Sequence, residues 1–311
     1  MSIVGARPPI FTFWEPRGAV LPYLQLCRET WRRGLFDSEV ITLDYANVDD
    51  YVEPGTLDMP TLKRLSLPLQ KDAVMIAVLL RHGGLFLDMD TLVVRDISPV
   101  IHTLDRTEMF CFGGNISVVG GRRGAPILQL WLENIQRRLA LVANSDVSLA
   151  DVTWNFLGNL PLDEARAALH QRTAHRRIVR SAAPGRWLWD RIAATKPPPG
   201  TRGSLLRRLP RRLEFELSQR SAARHWLFLD RKGFYPELAH ARAPDDDRTK
   251  IYRDFWFSED IPVEAALNSG TAILGLHNSM TPPAYANLSR GNVLAHPSLL
   301  SRTIRHLLAT A

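Results

Sequence analysis

The stretch GGLFLDMD at residues 83–90 constrains the fold of this chain more than any other part of the sequence. An apolar run of helical length precedes the two glycines, and a glycine pair after such a run is typical of a helix C-terminus. The three apolar residues that follow have the length of a short buried strand. Asp88 and Asp90 come where that strand ends. Because open α/β sheets bind ligands at the carboxyl ends of their strands, the pattern predicts a binding edge with two carboxylates.

The rest of the chain is consistent with an α/β sheet flanked by helices. Residues 10–14 and 39–43 are predicted strands, and residues 21–33 between them carry apolar side chains at helical spacing. Strand, helix, strand is how an α/β nucleotide-binding fold opens. Further strands are predicted at 109–112, 116–119, 227–229 and 272–276, and further helices at 69–81, 126–141 and 297–308. No internal repeat or linker divides the chain, so a single domain over residues 1–311 is expected.

Composition excludes several classes of protein. The chain has 311 residues, 45% of them hydrophobic and 23% charged, which suits an ordinary globular protein. Cys27 and Cys111 are the two cysteines, too few for a disulfide framework or a structural zinc site. The N-terminus lacks the pattern of a signal peptide, and no apolar run has the length of a membrane span. These features predict a cytoplasmic protein.

The basic charge of the chain suggests an anionic partner. The net charge is +7 and the sequence pI is about 9.8, which would suit nucleic acid, anionic lipid or a phosphorylated small molecule. No nucleic-acid-binding module is recognisable, so nucleic acid is not expected as a partner. The basic run at residues 202–212 suggests peripheral contact with the inner face of a membrane, where a lipid-linked acceptor would lie.

The two aspartates have the chemistry of a metal site. Like charges two residues apart raise a carboxyl pKa or recruit a cation. Hard oxygen ligands suit Mg²⁺ or Mn²⁺, which also bind the oxygens of a diphosphate. We therefore expect Asp88 and Asp90 to be the catalytic pair and to bind the metal.

Residues 8 to about 140 resemble the capsular-polysaccharide-synthesis family and the DxD-containing glycosyltransferase-sugar family. Four segments carry the resemblance: PIFTFW at 9–14, VITLD at 40–44, the helix at 72–82 with its two glycines, and LDMD at 87–90. The resemblance implies a GT-A-like mixed sheet flanked by helices in a single domain. It also implies metal-dependent, retaining transfer of a sugar from a nucleoside-diphosphate sugar to a hydroxyl, in polysaccharide, glycolipid or natural-product glycosylation.

The resemblance also implies roles for individual residues. Asp90 would bind the metal directly, and Asp88 would contact the ribose, the sugar or the metal through water. Trp14 would stack on the nucleotide base, and Asp72 would contact the donor. His277, directly after a predicted strand, is a third candidate metal ligand. The other expected donor-binding residues are Thr12, Phe13, Asp44, Gly84, Asn115, Asn278 and Ser279.

The predicted substrates divide between the two halves of the chain. Residues 1–150 would bind the nucleotide sugar, with a UDP-sugar as the first candidate, and the metal. Residues 151–311 would form a variable half that faces a saccharide, lipid-linked or small-molecule acceptor. The family helix usually carries an Arg that contacts the donor, and Met75 stands in its place here.

Two other functions are consistent with the same residues. The LFLDMDTL stretch at 85–92 is similar to the first motif of haloacid-dehalogenase-type phosphatases, although that motif has one more residue between the second Asp and the Thr. It also normally begins the chain, whereas here a strand-helix-strand unit precedes it. The second alternative is an inactive protein that binds sugar nucleotides, which the Met75 replacement suggests.

Overall fold

The central feature of the computed structural model is a mixed β-sheet. In the part of the chain that the structure describes, the sheet has six strands in the order β2-β1-β3-β6-β5-β7. The strands are β1 (Ile10–Phe13), β2 (Val40–Leu43), β3 (Gly84–Leu87), β5 (Met109–Phe112), β6 (Asn115–Gly121) and β7 (Leu227–Leu229). The described residues are 8–34, 38–112, 115–182, 225–229, 234–239, 247–267 and 271–310.

Strand direction decides where the candidate site lies. β1 pairs in parallel with both β2 and β3, so their carboxyl ends share one edge. β6 is antiparallel to β3 and to β5, and β7 runs parallel to β5. The sheet therefore mixes parallel and antiparallel pairs. Together with the flanking helices, it confirms the predicted α/β class and is compatible with a GT-A-like fold.

A second, small sheet lies next to the site. It pairs β4 (Thr91–Val93) in an antiparallel manner with β8 (Ile273–Gly275). β4 begins directly after Asp90, so the pairing brings a late segment of the chain to the aspartates. β7 likewise joins the main sheet from the second half of the chain. Both parts of the chain therefore contribute strands to the sheets. The assignment of the donor to residues 1–150 and of the acceptor to residues 151–311 stays a prediction.

The helices pack on the two faces of the main sheet. Above one face, α4 (Leu67–His82), α6 (Pro126–Ala143) and α7 (Asn159–Ala182) form a large apolar cluster with Phe11, Phe86 and Val119 of the sheet. On the other face, Ile10, Leu85 and Leu87 pack with Trp31. The helices are α1 (Pro22–Thr30), α2 (Val48–Tyr51), α3 (Met59–Leu62), α4 (Leu67–His82), α5 (Ser98–Ile101), α6 (Pro126–Ala143), α7 (Asn159–Ala182), α8 (Arg248–Trp256), α9 (Pro283–Ala286), α10 (Arg290–Ala295) and α11 (Leu299–Ala309).

The predicted elements agree well with the observed ones in the first half of the chain. The long apolar helix before the glycines is α4, and it ends at Gly83, whose φ of 71° is in the left-handed region that glycine tolerates. The basic run at 202–212 lies outside the described residues. Cys27 and Cys111 are buried and free. Among the described helices, none has the length and apolar character needed to cross a bilayer.

Gly84 is required by backbone packing. Its φ is +107°, and a Cβ at this position would lie 2.2 Å from the carbonyl oxygen of Pro9. Leu85 N–H donates to that same carbonyl over 3.0 Å. Any side chain at 84 would therefore separate the start of β3 from the strand beside it.

Candidate functional site

The candidate site lies at the carboxyl ends of β1, β2 and β3. Trp14, Asp44 and Asp88 each come directly after one of these three parallel strands. Trp14 N–H donates to the carbonyl of Leu43 over 3.0 Å, which ties the ends of β1 and β2 together. Residues that are far apart in the sequence thus meet along one edge of the sheet, as expected for an α/β fold.

A tight turn sets the direction of the two aspartates. The backbone N–H of Asp88 donates to the carbonyl of Ser117 on β6 over 2.8 Å. The Thr91 hydroxyl donates to the Asp88 carbonyl over 2.8 Å. Met89 is buried among the apolar residues below the turn. Asp88 and Asp90, on either side of Met89, are only partly buried and remain accessible to a ligand.

Lys71 on α4 makes the closest contacts with the first aspartate. Its Nζ lies 3.0 Å from Oδ1 and 3.1 Å from Oδ2 of Asp88, and 2.8 Å from Oδ1 of Asp72. Burial lowers the pKa of Lys71, but the charges of Asp72 and Asp88 outweigh that effect and leave the pKa raised. The ammonium is therefore charged and links the two carboxylates. The sequence pattern had not singled out Lys71, because a Lys beside an Asp on a helix is usually solvated.

Asp72 is buried beneath a turn that precedes α7. A Cβ on Gly158 would lie 2.4 Å from Asp72 Oδ2, so the turn approaches the carboxylate closely. Trp131 Nε1 holds this turn by donating to the Gly158 carbonyl over 3.1 Å. Burial raises the pKa of Asp72 to about 6, against the opposing effect of Lys71. Asp72 thus belongs to the same charged group as Asp88.

Asp90 is bound by the late segment that follows β8. Asn278 N–H donates to Asp90 Oδ2 over 2.8 Å, and Leu276 N–H donates to the Asp90 carbonyl over 2.9 Å. The Tyr23 hydroxyl on α1 donates to Asn278 Oδ1. Burial and the charge of Asp88 raise the pKa of Asp90 to about 7. The Asn278 backbone therefore orients the carboxylate that the sequence assigned to the metal.

His277 lies between the two residues that bind Asp90, and its role as a metal ligand stays a prediction. The ring stacks on Tyr235 with centroids 4.7 Å apart, and Nε2 is 3.9 Å from Oε1 of the buried Glu237. Trp256 Nε1 also donates to Glu237, over 3.3 Å. In the described residues, no group of three or more His, Cys, Asp and Glu side chains is arranged for a metal ion. Ser279, in the short 3-10 turn after His277, is exposed.

The residues at the end of β1 differ in how accessible they are. Thr12 is fully buried, and Phe13 packs edge-on against Tyr45 with centroids 5.6 Å apart. Trp14 is only partly buried, and its Nε1 has no hydrogen-bond partner among the described residues. Asp44 pairs with Arg17 at 2.6 Å. Trp14 is therefore one aromatic ring at this edge that a ligand could contact, and Tyr45, directly after Asp44, is also only partly buried.

Asn115 and Gly84 are both predicted to bind the donor, but Asn115 lies near the carboxyl end of β3 and Gly84 lies at its amino end. Asn115 begins β6, and its Oδ1 accepts a hydrogen bond from Ser117 N–H over 2.7 Å. It is therefore close to the turn that contains Asp88. Gly84 begins β3, at the end of that strand opposite to the aspartates. The glycine accommodates the Pro9 backbone there, and the structure does not bring it together with the other predicted residues.

Met75 lies in the apolar core, fully buried. A packing residue therefore occupies the position at which the resemblance implied an Arg. The positive charge that α4 brings to the aspartates comes from Lys71, one turn earlier.

A surface cavity of about 620 Å³ adjoins the site on the α1 side of the sheet. Met89, between the two aspartates, forms part of its wall, together with Arg17, which binds Asp44. Arg28 and Arg32 add further positive charge. Asp88 and Asp90 do not line the cavity. The position of the candidate site is therefore inferred from the aspartate turn and not from the cavity.

The residues present fit a divalent cation through charge and ligand type. Asp72 and Asp88 contact the Lys71 ammonium, and Asp90 follows Asp88 by two residues, so these three carboxylates and one ammonium carry two uncompensated negative charges when all are ionised. Carboxylate oxygens are the ligands that Mg²⁺ and Mn²⁺ take. Because Lys71 already binds both oxygens of Asp88, Asp90 is the better placed of the pair to hold the ion.

Comparison with solved structures finds a similarity to a glycosyltransferase chain. The chain is similar to a chain described as "PaToxG Glycosyltransferase", with 12% sequence identity and a TM-score of 0.31; the match covers 54% of this chain and 69% of that one. No protein-family model matches the chain, and no curated protein matches it.

Proposed function

We propose that this protein is a metal-dependent glycosyltransferase that transfers a sugar from a nucleoside-diphosphate sugar to a hydroxyl acceptor. One observation carries the proposal. Asp90 is held by the Asn278 backbone at the carboxyl edge of a mixed α/β sheet, next to Asp88 and to an excess of negative charge. Such an edge is where this class of sheet binds ligands.

Each residue of the site has a separate proposed role. Asp90 would hold the divalent cation, Mn²⁺ or Mg²⁺, and the Asn278 backbone keeps the carboxylate in place. Once bound, the cation would neutralise the charge that develops on the departing nucleoside diphosphate. Asp88 would orient the ribose or the sugar, and the buried Asp72 would support it through Lys71. His277 and Ser279 lie in the late segment beside them. Asn115 is a candidate for contact with sugar or acceptor hydroxyls.

The proposed chemistry is retaining transfer, for which no protein nucleophile is assigned. A UDP-sugar is the first donor to test, and a saccharide, a lipid-linked sugar or a small molecule would supply the hydroxyl. The basic surface around Arg17, Arg28 and Arg32 is compatible with an anionic partner, and peripheral contact with a membrane stays a prediction.

A screen of nucleoside-diphosphate sugars tests the proposal directly. Thermal shift with and without Mn²⁺ identifies the donor, because a ligand that binds only the folded state raises its stability. Release of the nucleoside diphosphate from that donor then measures turnover. Hydrolysis of p-nitrophenyl phosphate without any release from sugar donors would favour the phosphatase alternative. A thermal shift without turnover on any donor or acceptor would favour the inactive binding protein.

Replacing Trp14 with Ala is expected to weaken the affinity for UDP by about tenfold or more. Stacking of a base on an aromatic ring contributes roughly 1–3 kcal/mol, and about 1.4 kcal/mol corresponds to a factor of ten. Titration calorimetry with UDP measures the effect, and Trp14→Phe should retain most of the affinity. Trp226→Ala is the matched control, since Trp226 is also partly buried but lies beside β7 at the far edge of the sheet. Unchanged UDP affinity in Trp14→Ala would refute the stacking role.

A further inference from the structure

The ammonium of Lys71 occupies the place between two site carboxylates that a metal ion could also take. Its Nζ contacts both oxygens of Asp88 and one oxygen of Asp72, all within 3.1 Å. Only 13% of the Lys71 side chain is exposed. The first aspartate of the pair is therefore already bound to a cation that belongs to the chain.

We propose that Lys71 is an internal cation that makes metal binding depend on the nucleotide. While Lys71 holds Asp88, Asp90 is the carboxylate of the pair that is left to bind a divalent cation, so the cation binds weakly. The nucleoside diphosphate supplies the missing oxygen ligands and negative charge, so that metal and nucleotide bind together. This inference rests on the proposed function, because it takes a nucleoside diphosphate as the ligand.

Two electrostatic effects support this order of binding. A divalent cation at Asp90 and the Lys71 ammonium repel each other, and at a few ångströms this repulsion matters even in water. In addition, Mg²⁺ and its analogues are usually held by one or two carboxylates plus substrate phosphates, so a site with a single available carboxylate needs the phosphates. Lys71 thus removes one ligand and adds one opposing charge.

The pairing with Asp72 allows Lys71 to release Asp88 at low cost. Asp72 is buried under the Gly158 turn, and its Oδ1 lies 2.8 Å from the Lys71 ammonium. When Asp88 turns to the donor or the metal, Asp72 still compensates the charge of Lys71. The same movement would leave an ammonium without a second partner as an uncompensated buried charge, which is strongly destabilising.

The decisive experiment measures Mn²⁺ affinity by calorimetry for the full-length protein and for Lys71→Met, each with and without UDP. Lys71→Met is one atom shorter than lysine, so it keeps most of the side-chain length and removes the charge. We expect the variant to bind Mn²⁺ alone at least about tenfold more tightly than the unaltered protein does. We also expect UDP to increase the Mn²⁺ affinity of the unaltered protein much more than that of the variant.

Two further variants identify the site. Lys63→Met removes an exposed lysine whose ammonium lies 4.4 Å from the centre of the Tyr45 ring, and this variant should bind Mn²⁺ like the unaltered protein. Adding Asp90→Asn to Lys71→Met should abolish the gain in affinity. A gain that survives in the double variant would overturn the inference, because the metal would then be bound elsewhere.

Equal Mn²⁺ affinity for Lys71→Met and the unaltered protein would also overturn it. Circular dichroism checks that the variant folds. If Lys71→Met does not fold, the inference is tested on the unaltered protein alone. Tight Mn²⁺ binding that UDP does not improve would contradict the inference. Failure of the proposed function can be told apart from failure of this inference. A lack of turnover on every sugar donor would refute the function, whereas the Mn²⁺ titrations measure binding and do not depend on turnover.

Discussion

Asp90→Asn is expected to reduce the metal-dependent release of UDP from the donor by at least about 100-fold. The Asn side chain keeps the size of Asp, and its carbonyl oxygen can still accept the hydrogen bond from Asn278 N–H. The substitution therefore removes the charge that binds the cation while the turn is preserved. Loss of the several kcal/mol that a metal contributes to charge stabilisation accounts for the size of the effect.

The measurement is the initial rate of UDP release over a range of Mn²⁺ concentrations. Asp49→Asn is the matched control: Asp49 is an exposed carboxylate on α2, and its replacement should leave the rate unchanged. Circular dichroism and melting curves confirm that Asp90→Asn is folded. A folded variant with the full Mn²⁺-dependent rate would show that Asp90 does not bind the metal.

The second large effect is expected on stability. Gly84→Ala should destabilise the protein by roughly 3 kcal/mol or more, because it combines a strained φ with a clash. The new Cβ would lie 2.2 Å from the Pro9 carbonyl oxygen, at a φ of +107°. A shift of either backbone would disturb the pairing of β3 with β1, on which the geometry of the site depends. Chemical denaturation or the melting temperature measures the loss.

Two glycine controls separate strain from crowding. Gly124 has a φ of +68° and open space around it, so Gly124→Ala should cost only the strain, about 1 kcal/mol. Gly18 has neither a positive φ nor a neighbour within 4 Å, so Gly18→Ala should be close to neutral. If Gly84→Ala kept its stability but lost donor binding, Gly84 would be a ligand contact, as the sequence interpretation had it, and the packing role would be refuted.

Local pattern was sufficient to predict the parts of the fold that depend on local interactions. The apolar run before the two glycines is α4, and its end at Gly83 follows from a backbone conformation that glycine tolerates. The strands β1, β2 and β3 and the position of Asp88 at a strand end were also predictable, because short apolar runs between turn residues are typical of buried strands. Since parallel strands end at one edge, Trp14, Asp44 and Asp88 could be placed together from the sequence.

The sequence by itself thus determined the α/β class, the run of early elements and the edge at which the aspartates lie. Only the tertiary structure decided which groups touch them. Asn278 binds Asp90 across 188 positions, and Lys71 reaches Asp88 from the neighbouring helix. Such contacts depend on which strands pair and where each side chain points, as with β8 beside β4. Local periodicity encodes neither property. The contact between the Lys71 ammonium and Asp88 could therefore be identified only from the tertiary structure.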